Sequence, residues 1–511
     1  MAHPVPIPRP IVAGAFLALL AALAPIGHVH AAQENIVRYP VVAGAFYPAD
    51  PSELTQMMKQ MLAAAHPVPV EGSILAAVAP HAGYIYSGPV AASTYGALQG
   101  RTYKRVVVIA PSHFVSFGFT SVYSGSAYLT PLGTVPVDRA FAHKLASLSS
   151  TIQLSELGHA PTTTGGEHAL EVQLPWLQHM LGNFTLVPIV MGGQNYQASR
   201  ALGIALAQLI AEEKQHGEGE TLVLASSDLS HYHPYKEAVA IDRKSLAALT
   251  AWDYFSMSRN FEARLWEACG GAPIVAAMIY AERMGATKAQ LLRYANSGDT
   301  AGDKSRVVGY GSAVFVQATH SAAPPPPFSL TTEEKQELLQ IARHSVESAV
   351  RDRHTYVPPA SGSEKLNTEL GAFVTLTKNG SLRGCIGYVS AMKPLLETVR
   401  DVASFAALRD PRFPAVIPAE LPLLHYEISV LSPLRRVLDP EQITVGRDGL
   451  LIRNRNNEGL LLPQVPTEQG WDRQTFLEET CAKAGLPHSC WQDENTDIFR
   501  FTAEVFHEEK P

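Results

Sequence analysis

Ile74-Leu-Ala-Ala-Val-Ala79 is a run of six apolar residues, and Pro80-His81-Ala-Gly-Tyr84 follows it at once. Continuous rather than alternating apolarity over this length predicts a strand covered on both faces. The same pattern returns at residues 106–110, 186–190 and 222–225, with helical stretches between. Asp50-Pro51-Ser52-Glu53 supplies an N-cap, a first-turn proline and a glutamate at the third position, and residues 167–180 and 197–212 carry helical periodicity. Buried strands alternating with helices predict an α/β sandwich.

Several of these runs end in a polar motif. The first leads to His81, the second to Ala110-Pro111-Ser112-His113, and the fourth to Ser226-Ser227-Asp228-Leu-Ser-His231-Tyr-His233. In open α/β sheets ligands bind beyond the carboxyl ends of the strands, so these motifs converge in space although they are far apart in sequence. Two more candidates lie off the strands. Gly165-Gly166-Glu167-His168 opens the helical stretch, and Cys269-Gly270-Gly271-Ala-Pro273 places a thiol before a Gly-rich turn and a helix start. Imidazole, carboxylate and thiolate are the ligands of borderline transition metals, and three of them with an open position make a catalytic site. Taken singly, each histidine is as readily a capping residue, Cys269 a small buried hydrophobe and Asp228 a turn cap. Histidines at equivalent strand ends tip the balance toward a shared site. His143, His159 and His179 lack such a setting and are expected at the surface.

Composition narrows the function. The 511 residues suggest two to four folded units, with 46% hydrophobic and 17% charged residues. A net charge of −7 without a long basic run excludes nucleic acid as a main partner. Four cysteines without C-x-x-C spacing exclude a zinc ribbon and a dithiol redox motif. Residues 11–24 are apolar, preceded by Arg9, stopped by Pro25 and followed by small residues at Ala31 and Ala32. This reads as a signal peptide over residues 1–32, which makes the mature chain periplasmic or secreted with no membrane span; an uncleaved anchor is the alternative. A Pro-rich joint at residues 319–330 separates a first half, 38–318, from a second, 331–511. The second half opens with a capping box at Thr331 and Glu334.

The motifs Ala43-Gly-Ala-Phe-Tyr-Pro48, Pro80-His-Ala-Gly-Tyr84, Pro111-Ser-His113, Glu167-His-Ala-Leu-Glu-Val-Gln-Leu-Pro175, Ser226-Ser-Asp-Leu-Ser-His231 and Val308-Gly-Tyr310 together resemble the Memo family. That family resembles the class III extradiol ring-cleaving dioxygenases, α/β sandwiches that use non-haem iron. The resemblance implies His81 and His113 as metal ligands, Cys269 where the dioxygenases place a ligating glutamate, and His231 as acid/base. A thiolate in that position favours iron or copper(I) over magnesium. Asp228 and Glu167 are further catalytic candidates, and Tyr84, His168 and His233 are candidates for contact with a small molecule or peptide in the cleft. The second half, through Leu382-Arg-Gly-Cys-Ile-Gly387, Ala406-Ala-Leu-Arg-Asp-Pro-Arg-Phe413 and Gly459-Leu-Leu-Leu-Pro-Gln464, resembles the AMMECR domain, an α+β unit. Genes of both kinds travel with a radical-SAM protein, which the resemblance makes the expected partner.

In that half Arg383, Cys385 and Glu427 are the candidate site residues, with Arg383-Gly384-Cys385 read at a strand end and a binding module as the expected role. A buried Cys385 beside turn-forming glycines is the alternative. Three functions compete: a metal-dependent redox or dioxygenase-like protein, a metal- or ligand-binding protein without turnover, and a metal-assisted hydrolase with Glu167 or Asp228 as base. Cys481 and Cys490 could pair if the chain is exported, because Gly485 and Pro487 can fold it back between them.

Overall fold

The computed structural model describes residues 36–508 apart from 67, 162–165, 216–219, 319–328, 390–392, 455–456 and 494. The expected signal segment and residues 319–328 of the expected Pro-rich joint therefore lie outside the described residues. Four apolar runs form parallel neighbours at the centre of one sheet: Ser73–Ala79, Thr221–Ser226, Arg105–Pro111 and Thr185–Met191. Side chains on both their faces are buried, as continuous apolarity requires. On one side Val307–Gln317 pairs antiparallel with Ser73–Ala79, and it also carries Asp228–His233 and Lys288–Asn296. Thr120–Val122 and Ile152–Leu154 complete the other side. Helices Tyr84–Ala97 and Gln173–Leu181 bury residues in one apolar layer, and Tyr196–Gln215 and Gly271–Arg283 bury theirs in the other.

Two expectations are corrected. The helix expected over 167–180 begins only at Gln173, and the residues before it form turns tied to the Glu167 carboxylate. Likewise Asp228–His233 is a strand of its own rather than the tail of one. Its polar side chains hide it from an apolar-run reading.

The second half is a seven-stranded antiparallel sheet running Ser381–Tyr388, Ala372–Lys378, Leu424–Leu431, Asp497–His507, Asp448–Asn454 and Asn457–Leu461, with Arg435–Arg436 beside Asp497–His507. Helices Thr332–Arg351 and Leu395–Leu408 cover one face, and Thr331 and Glu334 form the expected capping box. The two halves share a core: Leu434, Leu451, Phe499 and Phe501 pack in one cluster with Tyr254, Phe255 and Trp266. At this junction Asp497 accepts from Arg200 at 2.7 and 2.9 Å, Arg436 at 2.7 Å and the Tyr196 hydroxyl at 3.0 Å. Among the described residues no helix is long and apolar enough to cross a membrane.

Cys481 and Cys490 are joined in a disulfide with Cα atoms 5.8 Å apart, while Cys269 and Cys385 are free. Such a short closed loop stabilises by roughly 2–3 kcal/mol in the loop-entropy account. Non-reducing peptide mapping of oxidised protein is expected to recover Cys481 and Cys490 in one linked peptide. Recovery of an unlinked Cys481 peptide would count against the bond.

Candidate metal centre

Because the central strands are parallel, their carboxyl ends lie along one edge of the sheet, and His81 and His113 each follow such an end by two residues. Cys269 reaches the same place from the loop before helix Gly271–Arg283. That loop lies hard against the end of Thr221–Ser226, since a Cβ on Gly270 would meet the Ser226 carbonyl oxygen at 2.2 Å. One donor atom from each of His81, His113 and Cys269 lies within 4.8 Å of the others. The Cys269 Sγ is 3.1 Å from His81 Nε2 and accepts the Asp228 backbone N–H at 3.3 Å.

Each histidine is held from behind. Glu167 accepts the His113 backbone N–H at 2.6 Å, its Nδ1 at 3.0 Å, and the amides of His168 and Ala169 at 2.9 and 3.0 Å. Burial alone would raise the Glu167 pKa, but these hydrogen bonds and the His113 charge outweigh it and hold the carboxyl at about 2. So weak and fully engaged a base is suited to orienting His113, as carboxylates behind metal-ligating histidines do. Behind His81 stand Ser226 Oγ, 2.9 Å from Nδ1, and Asp228, whose Oδ1 accepts the His81 backbone N–H at 2.8 Å. Burial first, then the neighbouring His113 and His231, push the His81 pKa far below its ordinary range, so its ring is neutral. At 4.0 Å from a neutral ring, the second oxygen of Asp228 makes no ion pair with it. Burial raises the Asp228 pKa. It also pushes the Cys269 thiol far up, with the Asp228 charge acting in the same direction.

His168 stacks on His113 at 4.8 Å between ring centroids and stands edge-on to His81 at 5.5 Å, with Phe46 and Phe114 against its other sides. Burial, with His81 close by, lowers its pKa to about 4, so it is a neutral wall of the cluster. Together with His113 and Glu167 it forms a second group of potential donors. The ring of half-buried His231 is near enough to shift the charge balance of His81 and Asp228, and its backbone N–H is held by Glu267 at 3.2 Å. His233 points elsewhere, to Glu267 at 2.9 Å and Glu237 at 3.2 Å, and the Glu267 hydrogen bond raises its pKa. Tyr84 is buried between Tyr47 and Trp176, and its hydroxyl donates to the Val172 carbonyl at 2.7 Å. Nor is His159 a surface residue. It is buried, with Nδ1 2.6 Å from the Tyr128 hydroxyl, whereas His143 is exposed and His179 half-buried.

The residues missed from sequence are Ser226 as a partner of His81, Gln173 behind it, and Glu171. Gln173 stands between Val172 and the apolar Leu174-Pro-Trp-Leu177 stretch, and a lone amide on a buried helix face is a signal in itself. Glu171, fully buried, ties down residues 38–47 by accepting from Arg38, Tyr47 and the amides of Val41 and Val42.

In the second half Arg383-Gly384-Cys385 lies in mid-strand rather than at a strand end. Arg383 is bound through two nitrogens to Glu420, which Lys378 also reaches at 2.8 Å. The Cys385 amide donates to Asp410 at 2.8 Å and its sulfur accepts from the Thr375 hydroxyl at 3.3 Å. Thr375 lies between Cys385 and Glu427 in the register, so these candidates share a sheet without meeting at one point.

Fold and site together define an α/β sandwich protein with a His–His–Cys cluster at its strand ends, joined to an antiparallel α+β domain. The chain belongs to the Memo family: the Memo-like protein family matches residues 38–314, and AMMECR1 matches residues 339–506. A MEMO1 family protein of Methanopyrus kandleri is 38% identical over 287 residues, which cover 54% of this chain and 98% of that protein. A protein of Thermococcus kodakarensis is 47% identical over 184 residues, covering 34% of this chain and 90% of its own length. The crystal structure of an uncharacterized protein from Pyrococcus horikoshii shares 42% identity, covers 36% of this chain and 96% of its own, and has a TM-score of 0.35.

Proposed function

We propose that the first half is a metal-dependent redox protein of the dioxygenase-like kind. His81, His113 and Cys269 would hold iron or copper, and His231 would serve as proton donor or acceptor. The observation that carries this reading is the donor set: two imidazoles and a thiol from three separate segments, with donor atoms within 4.8 Å of one another and both histidine Nδ1 atoms hydrogen-bonded from behind. A bound ion of this kind would supply a Lewis acid, and a thiol among the donors would favour softer metals. Around it the chain's own groups orient the ligands through Glu167 and Ser226, wall the site with His168, and offer His231 for proton movement. We further propose that the second half is a binding module, that a radical-SAM protein is the partner, and that the protein works in the periplasm or outside the cell. The Cys481–Cys490 disulfide supports that oxidising location.

Elemental analysis of protein from its own compartment, followed by oxygen-consumption assays with a catechol and with a reductant, tests the reading. Turnover that disappears in His231→Ala while metal stays bound supports the redox reading. Metal without turnover supports the sequestering one, and zinc as the native metal the hydrolytic one.

The proton balance gives a sharper expectation. His81 is neutral and releases nothing, whereas the Cys269 thiol must give up its proton to ligate. Because of that proton, affinity rises about tenfold per pH unit across the neutral range and falls as pH drops. Calorimetry in two buffers of different ionisation enthalpy checks it. A pH-independent affinity would exclude Cys269 as a ligand.

A further inference from the structure

A neutral imidazole exists in two tautomers, and only the one with its proton on Nδ1 leaves the Nε2 lone pair free toward Cys269. For His113 the question is settled by Glu167, an ionised carboxylate that can only accept from Nδ1. No carboxylate stands behind Nδ1 of His81. Its partner there is the hydroxyl of Ser226, which can give or take a hydrogen bond, so the answer depends on the other neighbours of that hydroxyl.

Those neighbours leave one arrangement. Ser226 Oγ lies 2.6 Å from the Ala169 carbonyl oxygen, an acceptor only, so its single proton goes there. Gln173 Nε2 lies 2.7 Å away on another side. The orientation of that amide is fixed in turn, because the same nitrogen faces the carbonyl oxygens of Pro80 at 3.0 Å and Ala79 at 3.4 Å, while the Tyr95 hydroxyl donates to Oε1. Turning the amide round would set its oxygen against two carbonyl oxygens. Gln173 therefore donates to Ser226, and the remaining lone pair of the hydroxyl can only accept from His81 Nδ1. Ser226, Gln173 and His81 are all buried, so no solvent enters to relax the assignment. On the far side of the ring the half-buried thiol of Cys269 lies 3.1 Å from Nε2, closer than the 3.7 Å to its other acceptor, the Asp228 carbonyl oxygen.

We infer that Ser226 and Gln173 are positioning residues that lock His81 in its Nδ1–H tautomer and so keep its Nε2 turned to the Cys269 side of the cluster. The inference builds on the metal-site reading for its purpose, but the tautomer is a property of the metal-free protein and can be measured without any ion. Neither residue touches the proposed ion. They act through the ring.

Nitrogen-15 NMR of metal-free, histidine-labelled full-length protein distinguishes the tautomers directly, with His81→Gln used to assign the signal. The wild type is expected to show a protonated Nδ1 and an unprotonated Nε2 at His81. In Ser226→Ala the acceptor is gone, so the Nε2–H form becomes populated and affinity for added iron(II) or copper(I) falls by about 10- to 100-fold, the range for groups behind metal ligands. Gln173→Met is expected to shift both readouts in the same direction by less. An Nε2–H ring in the wild type overturns the inference even if no variant folds, and so does a Ser226→Ala protein with unchanged tautomer and affinity. A locked Nδ1–H ring, released by Ser226→Ala, in a wild type that binds no metal upholds the lock and defeats the metal reading.

Discussion

If the proposed metal site holds an ion, protein carrying both His81→Ala and His113→Ala is expected to lose it. Two of three donors are removed from a site whose donor atoms lie within 4.8 Å, leaving Cys269 alone. A single thiol does not hold a divalent ion against water, so affinity should fall by more than about 100-fold, beyond the loss seen for groups that only support ligands. Elemental analysis after dialysis reads the result directly. Cys269→Glu tests the third donor differently: a carboxylate is a harder ligand, and preference should move from copper(I) toward iron(II). Unchanged metal content in the double variant would place the site elsewhere.

The second large effect concerns the junction of the two halves. Asp497 is the shared acceptor for Arg200, Arg436 and Tyr196, all buried with it. Asp497→Ala removes the shared acceptor from two buried guanidinium groups, and breaking a buried pair from one side costs about 3–5 kcal/mol. The folded protein should melt at a clearly lower temperature. Cleavage at the Pro-rich joint adds a second readout: the wild-type halves, sharing a core, should stay together on size exclusion after cutting, while the Asp497→Ala halves should separate. A variant that melts with the wild type and stays associated after cutting would show that the carboxylate carries none of this interface.

Much of the first half is legible in the sequence because its strands are covered on both faces, and a run as densely apolar as residues 106–110 fits a doubly covered strand and little else. The strand-end histidines are legible for the same reason, since each follows a strand that reads clearly. What escapes is polar or distant. Asp228–His233 is a strand that carries the site's own chemistry, so its composition looks like a loop. Glu167 and His168 read as helical because the apolar period extends backward past the true start at Gln173, where hydrogen bonds to Glu167 hold the chain in turns instead. Ser226 goes unnoticed because a serine ending a strand carries no information until its three neighbours are known. The meeting of Arg200 with Asp497 spans 297 positions, and no local pattern encodes it.

Strand Val307–Gln317 is the last element of the first half, yet it lies inside the sheet, bonded along Ser73–Ala79 from about 240 residues earlier. A chain emerging vectorially, from a ribosome or through an export channel, therefore carries the unpaired flank of Ser73–Ala79 through nearly the whole passage of this half. The sheet can close only once residue 317 has arrived, just ahead of the joint. That delay leaves a long interval in which an unpaired strand edge is open to pairing with another chain.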